Sequence, residues 1–376
     1  MKIVQLCPYD MRRPGGVQRH VRDLSDWLTA QGHETRIIAP PAPGAAPRSW
    51  DRITEVGRAR RLAVHGTAFE LSLCAPGTAR RLATELQEWG ADIVHMHTPW
   101  TPMLVGQMWR ALRLPTVTTF HATLPRNDGA SLTDRYIRKA AGYFLRRSQA
   151  VVVPSEAPLP LLRQLVPGLD ATVLPPAIDL SDWRAARRTR RPNDPLHMVF
   201  LGRLEARKGV DVVLDAWRIL ALRLPDVTLT IAGEGALQET VEKAVRAQPD
   251  GRLHYVGRPD DAAAQALIGS ADLLLAPAPY GESFGLVLAE AMSAGTVPVA
   301  AANDGYAQVL TGPGVALLVP PDDATALAAK VELLTRDASQ HQTQRNWAMG
   351  HATSFDIKAV GPRYLDLFDR VLRPHC

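Results

Sequence analysis

The amino-acid sequence predicts an α/β protein made of two doubly wound domains, each built on a mostly parallel sheet. The first observation is that short apolar strands alternate with amphipathic helices along residues 1–184, which is typical of a parallel sheet with helices on its faces. The second observation is that the same alternation starts again at Met198. The third is the length of 376 residues, which allows two or three domains of about 150 residues.

In the first half, a predicted strand at residues 2–6 leads to the glycine pair Gly15-Gly16 and then to a helix. The apolar residues of that helix recur at spacings of four, three and four, which places them on one face: Val17, Val21, Leu24 and Leu28. Gly32 is a typical helix end. Further buried strands are predicted at residues 35–39, 92–97, 116–120 and 150–153.

The second half repeats this organisation, with strands predicted at residues 198–201, 228–232, 253–256, 273–276 and 297–300. Between the halves, residues 184–195 are polar, rich in arginine and interrupted by proline, which is typical of a linker. We therefore expect one domain over residues 1–185 and another over residues 186–354, facing each other across a cleft. Ligands of doubly wound sheets bind at the carboxyl ends of the strands, so such a cleft suits a transferase with two substrates.

The composition excludes several classes of protein. Hydrophobic residues make up 46% of the chain and charged residues 22%, as in globular proteins. No run of about eighteen apolar residues is present, which argues against a transmembrane helix. The three cysteines are too few and too scattered for a disulfide framework or a cysteine-rich zinc site. Because the N-terminus shows no cleavable signal segment, we expect a cytoplasmic protein.

Charge is distributed unevenly, with a net charge of +7 over residues 1–184 and −2 over residues 185–376. Nucleic acid is not expected as a partner, since the arginines are dispersed and no basic module with interleaved aromatic residues is present. An anionic membrane surface is suggested by the apolar run at residues 100–105 and by five arginines: Arg58, Arg60, Arg61, Arg80 and Arg81. A salt-bridged surface and a core helix would explain the same residues.

Two loops that follow predicted strands are candidates for binding phosphate. Gly15 and Gly16 stand at a helix start, where backbone N–H groups and the positive helix end favour an anion, although a plain turn also explains the pair. Arg203 and Lys208 stand where a strand end meets a helix start. They are suited to holding a diphosphate without a metal, and the alternative is a solvated basic loop.

The segment from Tyr280 to Gly295 contains two glutamates, Glu282 and Glu290, eight residues apart across a helix start. In a helix this spacing separates the backbone positions by roughly 12 Å, whereas a glycosidase pair needs carboxylates about 5–9.5 Å apart. We therefore interpret them as two hydrogen-bonding groups for one elongated ligand. Helix capping and an ordinary exposed glutamate are the alternative.

Three histidines lie at or near the ends of predicted strands. His95 and His97 alternate on one strand, and His121 follows the next. A three-histidine zinc site is conceivable, but no supporting carboxylate pattern is present, so no metal is expected. His121 is better suited to donate a hydrogen bond or carry a proton in the cleft.

Together these motifs resemble the family 4 glycosyltransferases, which have the GT-B fold of two Rossmann-like domains, and the likeness covers nearly the whole chain. The turn at residues 14–18, the Thr119-Phe120-His121 segment, the Arg203/Lys208 pair and the E-x7-E segment from Glu282 to Glu290 carry it. Residues 15–21 and 281–295 look most similar to the bacterial phosphatidylinositol mannosyltransferases of that family. The resemblance also implies that residues 355–376 form a helix that crosses back to the N-terminal domain.

The resemblance implies a retaining transfer of a hexose from a UDP- or GDP-sugar to an acceptor hydroxyl, without a metal or another cofactor. The residues implied to bind the donor are Gly16, Arg203, Lys208, Glu282, Ser283, Phe284, Gly285 and Glu290. Those implied to bind the acceptor are Gly15, Gly16, Gln18 and His121. Those implied in catalysis are His121, Arg203, Lys208 and Glu282.

The implied roles follow the chemistry of a departing nucleoside diphosphate, which needs cations more than it needs a nucleophile. Arg203 and Lys208 would neutralise the diphosphate, and Glu282 would hold the sugar hydroxyls. Glu290 would bind the ribose, and His121 would touch the sugar and orient the acceptor. Because no second carboxylate is suitably placed, attack by the acceptor on the face from which the diphosphate leaves is our hypothesis.

The acceptor stays open at this point. A glycolipid or phospholipid head group at the cytoplasmic membrane face, a soluble sugar, a natural product and a polyprenyl-linked saccharide all fit. A nucleotide-sugar epimerase of the same fold and a protein that only binds its donor are further alternatives. A nicotinamide dehydrogenase is disfavoured because the G-x-G-x-x-G motif is missing.

Overall fold

The computed structural model describes residues 1–64, 67–98, 103–121, 132–188, 195–248 and 250–373. The strands are β1 (Lys2–Leu6), β2 (Glu34–Ala39), β3 (Ser49–Trp50), β4 (Ile53–Glu55), β5 (Arg58–Val64), β6 (Thr67–Leu73), β7 (Ile93–His97), β8 (Thr116–Thr119), β9 (Ala150–Val153), β10 (Thr172–Val173), β11 (Leu196–Leu201), β12 (Val227–Ala232), β13 (Leu253–Tyr255), β14 (Leu273–Ala276), β15 (Val297–Ala301) and β16 (Leu318–Val319). The helices are α1 (Gly16–Ala30), α2 (Pro76–Glu88), α3 (Leu104–Leu112), α4 (Leu132–Leu145), α5 (Leu159–Leu165), α6 (Ser181–Ala185), α7 (Val210–Arg223), α8 (Gln238–Arg246), α9 (Asp261–Gly269), α10 (Leu286–Ala294), α11 (Tyr306–Val309), α12 (Ala324–Arg336), α13 (Ala338–Ala352) and α14 (Ile357–Leu372).

The first compact unit comprises Met1–Ile178 and the stretch from Ile357 onward. Its main sheet has the strand order β10-β9-β8-β7-β1-β2-β4-β3, and its neighbours pair in parallel except for β3 with β4. Strands β5 and β6 form a separate antiparallel ribbon. The sequence did not predict this ribbon, because β5 begins with three arginines among four residues and β6 mixes polar with apolar residues, so neither strand is a continuous apolar run.

The core of the first unit includes helix α14, which packs against α1. Tyr364 and Phe368 of α14 are fully buried and share an apolar cluster with Leu24 and Leu28 of α1. The helices approach closely at Gly361, where an added Cβ would lie 2.7 Å from the Trp27 ring. The C-terminal helix is therefore part of the first unit's core, although about 180 residues of the second unit precede it in the chain.

The surface residues considered for membrane contact divide into two groups. Arg58 and Arg60 are exposed on β5 with Ala59 buried between them, and Arg80 and Arg81 are exposed on α2. Leu104 and Val105, in contrast, are only 1% and 2% exposed, because the first turn of α3 faces the core. The hypothesis that the apolar run provides a membrane anchor is therefore wrong for these two residues, and residues 100–102 lie outside the described part of the chain.

The second unit comprises Asp179–Asp356. Its sheet has the order β13-β12-β11-β14-β15-β16 and is parallel throughout the described strands. The unit begins earlier than the boundary expected at residue 185, because α6 and its buried Trp183 belong to it. Two α/β units with parallel Rossmann-like sheets confirm the predicted fold class. No helix among the described residues is long and apolar enough to cross a membrane.

The strand order determines which loops meet in each unit. The order of the second sheet reverses between β11 and β14, so the loops after these two strands leave the sheet side by side. The loop after β11 carries Arg203 and Lys208, and the loop after β14 carries Glu282. In the first unit the reversal lies between β1 and β7, near the ends of the strands that carry the histidines.

Candidate active site

In the second unit, the loops after β11 and β14 bring the basic segment and Glu282 together. Nζ of Lys208 lies 2.6 Å from Oε1 of Glu282, and Nη1 of Arg207 lies 3.6 Å from the same oxygen. Nη1 of Arg207 also donates a hydrogen bond of 3.2 Å to the carbonyl oxygen of Gly281. Lys208 and Glu282 are 74 residues apart in sequence, so only the strand order makes them neighbours.

Electrostatics keep this carboxylate charged. Burial by itself would raise the pKa of Glu282, whose side chain is 12% exposed. The positive charges of Lys208, Arg207 and Arg203 and the Lys208 hydrogen bond outweigh burial, so the pKa of Glu282 lies below its usual value. Glu282 is therefore an ionised hydrogen-bond acceptor at neutral pH.

Arg203 takes a different position in this cluster. Its Nη1 lies 2.9 Å from Oε1 of Glu205, and its side chain is 47% exposed, while that of Lys208 is 23% exposed. Arg203 thus contributes charge near Glu282 and leaves part of its planar guanidinium in solvent. Arg207 was missed as a site residue by the sequence analysis, although its position directly before Lys208 on a turn was the available signal.

Gly209 allows the basic turn to approach the loop after β14. Its φ of 73° lies in the left-handed region, and an added Cβ would collide with the carbonyl oxygen of Pro277. A side chain at this position would therefore push the 206–208 turn away from the loop that carries Glu282.

We expect Gly209→Ala to weaken nucleoside diphosphate binding and to lower the free energy of unfolding by at least about 2 kcal/mol, from backbone strain and overpacking. Gly257→Ala is the matched control, because Gly257 has a φ of 67° and nothing lies within 4 Å of an added Cβ. Calorimetric melting and nucleotide titration of both variants check this. Equal effects of the two substitutions would contradict a role for the Pro277 contact.

The loop that carries Glu282 is held on both sides. Phe284 is 4% exposed and its ring packs edge-on against Phe355 at 5.3 Å. The side chain of Asn303 donates to the carbonyl oxygen of Ala278 at 2.7 Å and accepts from the backbone N–H groups of Gly305 and Tyr306. These contacts fix the backbone on both sides of Glu282.

Helix α10 begins directly after this loop. Gly285 occupies its N-cap position with a φ of 110°, and no side chain caps the helix there. Its first backbone N–H groups are therefore suited to an anionic ligand. Glu290 lies in the middle of α10 and is half-buried, whereas Glu282 precedes the helix, so the two glutamates of the motif lie on different elements.

In the first unit, four histidine rings form one group: His20 of α1 and His95 and His97 of β7 are buried, and His121 just after β8 is half-buried. The His97 and His121 rings are stacked with centroids 5.1 Å apart, and the His20 and His121 centroids are 5.0 Å apart. Nδ1 of His97 lies 2.8 Å from Nε2 of His121. His20 was not predicted as part of this group, because a histidine in a helix carries no sequence signal for partners that are 75 or more residues away.

Burial keeps these histidines neutral. Burial lowers the pKa of His20 to about 4, against an opposing hydrogen bond to Ala177. Burial, together with the mutual repulsion of the rings, lowers the pKa values of His95, His97 and His121 well below the usual value. At neutral pH each ring therefore has one protonated and one unprotonated nitrogen.

Three of these histidines bring ring nitrogens as close together as the ligands of a metal site. One ring nitrogen from each of His20, His97 and His121 lies within 4.8 Å of the other two. The sequence suggested His95, His97 and His121 as a trio, and in the structure His20 takes the place of His95. Nδ1 of His20 is engaged with the backbone of Ala177, since it lies 2.8 Å from the N–H group and 3.3 Å from the carbonyl oxygen of that residue. The sequence shows no supporting carboxylate pattern, and the absence of a metal cofactor stays our prediction.

The glycine pair lies at the start of α1 in the same unit. Gly15 is the N-cap residue and Gly16 the first helical residue; both are exposed, and no side chain caps the helix. The amide of Gln18 reaches back to the carbonyl oxygen of Asp10 at 3.3 Å. The first backbone N–H groups of α1 therefore have no side-chain cap. Gln18 and His121, which the resemblance also implies to bind the acceptor, lie in the same unit as the glycine pair.

The fold defines the class of protein first. The structure matches sucrose-phosphate synthase from Thermosynechococcus elongatus with a TM-score of 0.78, 21% identity and 98% coverage of both chains. It matches Anabaena HepE, solved in complex with UDP and glucose, with a TM-score of 0.75, 20% identity and coverage of 98% of this chain and 100% of that one. These likenesses establish the fold, which is that of the GT-B glycosyltransferases.

Sequence comparison then gives the family. The model for Glycosyltransferase Family 4 matches residues 14–182, and the model for Glycosyl transferases group 1 matches residues 181–349. The phosphatidyl-myo-inositol mannosyltransferase of Mycolicibacterium smegmatis is 34% identical over 99% of this chain and 94% of its own length. The enzyme of that name from Mycobacterium tuberculosis H37Rv is 32% identical over 99% and 97%. The chain therefore belongs to glycosyltransferase family 4, and it is a hexosyltransferase.

Proposed function

We propose that this protein transfers a mannosyl residue from a nucleoside-diphosphate mannose to the head group of a phosphatidyl-myo-inositol. The transfer retains the configuration at the anomeric carbon and needs no metal ion. The observation that carries the proposal is the similarity along 99% of the chain to mannosyltransferases named for this acceptor. The charged cluster of the second unit supports the chemistry.

The cluster is suited to a diphosphate leaving group. Arg203, Arg207 and Lys208 supply three positive charges close to Glu282, and the Arg207 and Lys208 side chains are only 24% and 23% exposed. Negative charge accumulates on the diphosphate as its bond to the sugar breaks, and partly buried cations stabilise that charge strongly. The arginines and the lysine would thus supply what a divalent cation supplies elsewhere.

In the proposed step, the bond between the anomeric carbon and the diphosphate oxygen breaks with its electron pair going to the diphosphate. An inositol hydroxyl oxygen bonds to that carbon on the same face, and its proton passes to the departing diphosphate oxygen. The ionised Glu282 accepts hydrogen bonds from the sugar hydroxyls and fixes the sugar during this exchange. Glu290 on α10 would accept from the ribose hydroxyls.

A lipid acceptor requires contact with a membrane. Four exposed arginines of the first unit support a peripheral position at the cytoplasmic membrane face: Arg58 and Arg60 on β5, Arg80 and Arg81 on α2. Each basic side chain near an anionic surface contributes about 1 kcal/mol. Nε of Arg81 also lies 3.7 Å from Oε1 of Glu85 at the surface. An anionic lipid would compete with Glu85 for this arginine.

The experiment measures nucleoside diphosphate release from UDP-, GDP- and ADP-linked mannose and glucose, with EDTA present throughout. The vesicle arms are phosphatidylcholine alone, phosphatidylcholine with phosphatidylserine, and phosphatidylcholine with phosphatidylinositol. Release from one mannosyl donor that only phosphatidylinositol stimulates, with mannosyl-lipid seen by mass spectrometry, is the expected result. NMR of the product should show the same anomeric configuration as the donor.

Other outcomes would redirect the assignment. Stimulation by free myo-inositol or a soluble sugar, but by no vesicle, would contradict the lipid acceptor. Stimulation by glycogen would favour the activity named for another relative, a glycogen synthase of Mycobacterium tuberculosis that is 30% identical over 92% of this chain. An inverted product or a trapped glycosyl-enzyme would contradict attack on the face from which the diphosphate leaves.

A further inference from the structure

Three side chains of the first unit form a continuous hydrogen-bonded chain that leads inward from His121. Nε2 of His121 is 2.8 Å from Nδ1 of His97, and Nε2 of His97 is 2.8 Å from Oε1 of Gln5. Gln5 and His97 are both fully buried on the neighbouring parallel strands β1 and β7.

The amide at the inner end determines where the protons lie. Oε1 of Gln5 can only accept, so Nε2 of the neutral His97 carries its proton and donates it. Nδ1 of His97 then has a lone pair and accepts from Nε2 of His121. His121 is therefore the Nε2–H tautomer, with the lone pair on Nδ1, because one ring nitrogen's hydrogen bond determines the state of the other.

We propose that His97, supported by Gln5, is a positioning residue that holds His121 in the Nε2–H tautomer and in one ring orientation during sugar transfer. The inference deepens the proposed function and rests on it, since it takes His121 as the ring that meets the sugar and the acceptor. Any substrate group that His121 meets through Nδ1 must then be a hydrogen-bond donor, such as a hydroxyl.

An uncharged residue, Gln5, at the inner end of this hydrogen-bonded chain suits the reaction. An oxocarbenium-like transition state gathers positive charge at the anomeric carbon, and an imidazolium beside it would oppose that charge. A carboxylate in place of Gln5 would favour protonation of His97 and His121, whereas an amide accepts the hydrogen bond without adding charge. Among the described residues, His20 from α1 and His95 from β7 act electrostatically on the two rings, and both are neutral.

The neighbouring His95 offers a matched comparison. It lies two residues from His97 on β7 and is equally buried, but its Nε2 pairs with Oγ1 of Thr119 at 2.7 Å. His95→Phe and His97→Phe therefore remove the same ring from the same strand, and only the second substitution removes the partner of His121. His97→Asn is the conservative variant, because its amide can still accept a hydrogen bond near the original Nδ1 position.

The first test reads the tautomer directly in the full-length protein without substrate. Nitrogen-15 NMR of the His121 ring should show a protonated Nε2 in the wild type, in His95→Phe and in His97→Asn. In His97→Phe the two tautomers should mix. A protonated Nδ1 in the wild type, or an unchanged spectrum in His97→Phe, would overturn the proposal.

The second test reads the reaction. His97→Phe should lower kcat by about 10- to 100-fold, the usual loss when a supporting partner is removed, with little change in KM for the donor, while His97→Asn recovers most of the rate. Gln5→Glu should move the acid limb of the kcat/KM profile to higher pH, because its charge favours protonation of the two rings. Equal losses in His97→Phe and His95→Phe, or an unmoved profile, would overturn the proposal.

The two proposals fail in different ways. If the proposed acceptor is wrong, the wild type transfers nothing to phosphatidylinositol. The NMR comparison is unaffected in that case, and kcat of the same variants is measured from their slow hydrolysis of the donor. If only the positioning role is wrong, the wild type transfers mannose normally and the His97 variants keep its tautomer or its rate.

Discussion

Replacing Glu282 with glutamine is expected to lower sugar transfer by about 100- to 1,000-fold, while nucleoside diphosphate affinity is kept or increased. The carboxylate is ionised and is the acceptor for Nζ of Lys208 at 2.6 Å. Glutamine keeps the shape of the side chain but loses the charge that we propose to order the sugar hydroxyls. At the same time Lys208 and Arg207 lose a competing negative charge, so both become better partners for a diphosphate.

Isothermal titration with nucleoside diphosphates, run beside transfer assays, separates these two effects. Glu332→Gln is the matched control, since Glu332 has a side chain 15% exposed and pairs with Arg223 at 3.1 Å elsewhere in the same unit. Calorimetric melting of both variants monitors the cost of leaving a partly buried cation without its partner. A parallel fall in diphosphate affinity and transfer in Glu282→Gln alone would show that Glu282 organises the phosphate site instead of the sugar.

The sequence predicted the fold class because parallel strands, buried on both faces, leave continuous apolar runs. The runs at 150–153 and 273–276 coincide with β9 and β14. The β5–β6 ribbon has no such continuous apolar run, since three of the first four residues of β5 are arginines. The strand order could not be predicted, because it depends on contacts between distant segments, and the order alone explains why Lys208 meets Glu282.

The same limit applies to the candidate site. Arg203, Lys208 and Glu282 could be selected from their positions after strands. Arg207 could have been selected from its place beside Lys208, and its distance to Glu282 shows that it belongs to the same cluster. Gln5 and His20 carried no signal, because a polar residue inside a strand or helix reveals nothing of a partner such as His97, 92 residues from Gln5. The roles assigned to these residues stay predictions until the variants are measured.

The first unit is expected to lose stability in acid. His20, His95, His97 and His121 have pKa values below 6.5 in the folded protein, with His20 at about 4. The unfolded chain therefore binds more protons than the folded one as soon as the pH falls below 6.5. Stability is fully present above this pH and is lost as the pH falls toward the folded values.

Each of the four histidines should cost about 1.4 kcal/mol per pH unit in that window. Together they should remove about 5 kcal/mol between pH 7.5 and pH 5.5, a large share of the 5–15 kcal/mol that stabilises a typical domain. Among the described residues of the second unit, His197 is the histidine whose pKa is lowered. Acid should therefore open the first unit before the second.

Hydrogen exchange read by mass spectrometry checks this, once intrinsic rates are corrected for pH. Peptides from β7 and α14 should lose protection between pH 7 and pH 5.5, because several neutral histidine rings pack against these elements. Peptides from β12 and β14 should keep more of their protection, because His197, which contacts Thr230 of β12, is the histidine with a lowered pKa among the described residues of that unit. In His95→Gln, one proton fewer should be taken up when the first group of peptides opens. The slope of the opening free energy against pH should therefore fall by roughly 1.4 kcal/mol per pH unit. Equal loss in both units, or an unchanged slope in His95→Gln, would mean that carboxylates and not the histidines control acid unfolding.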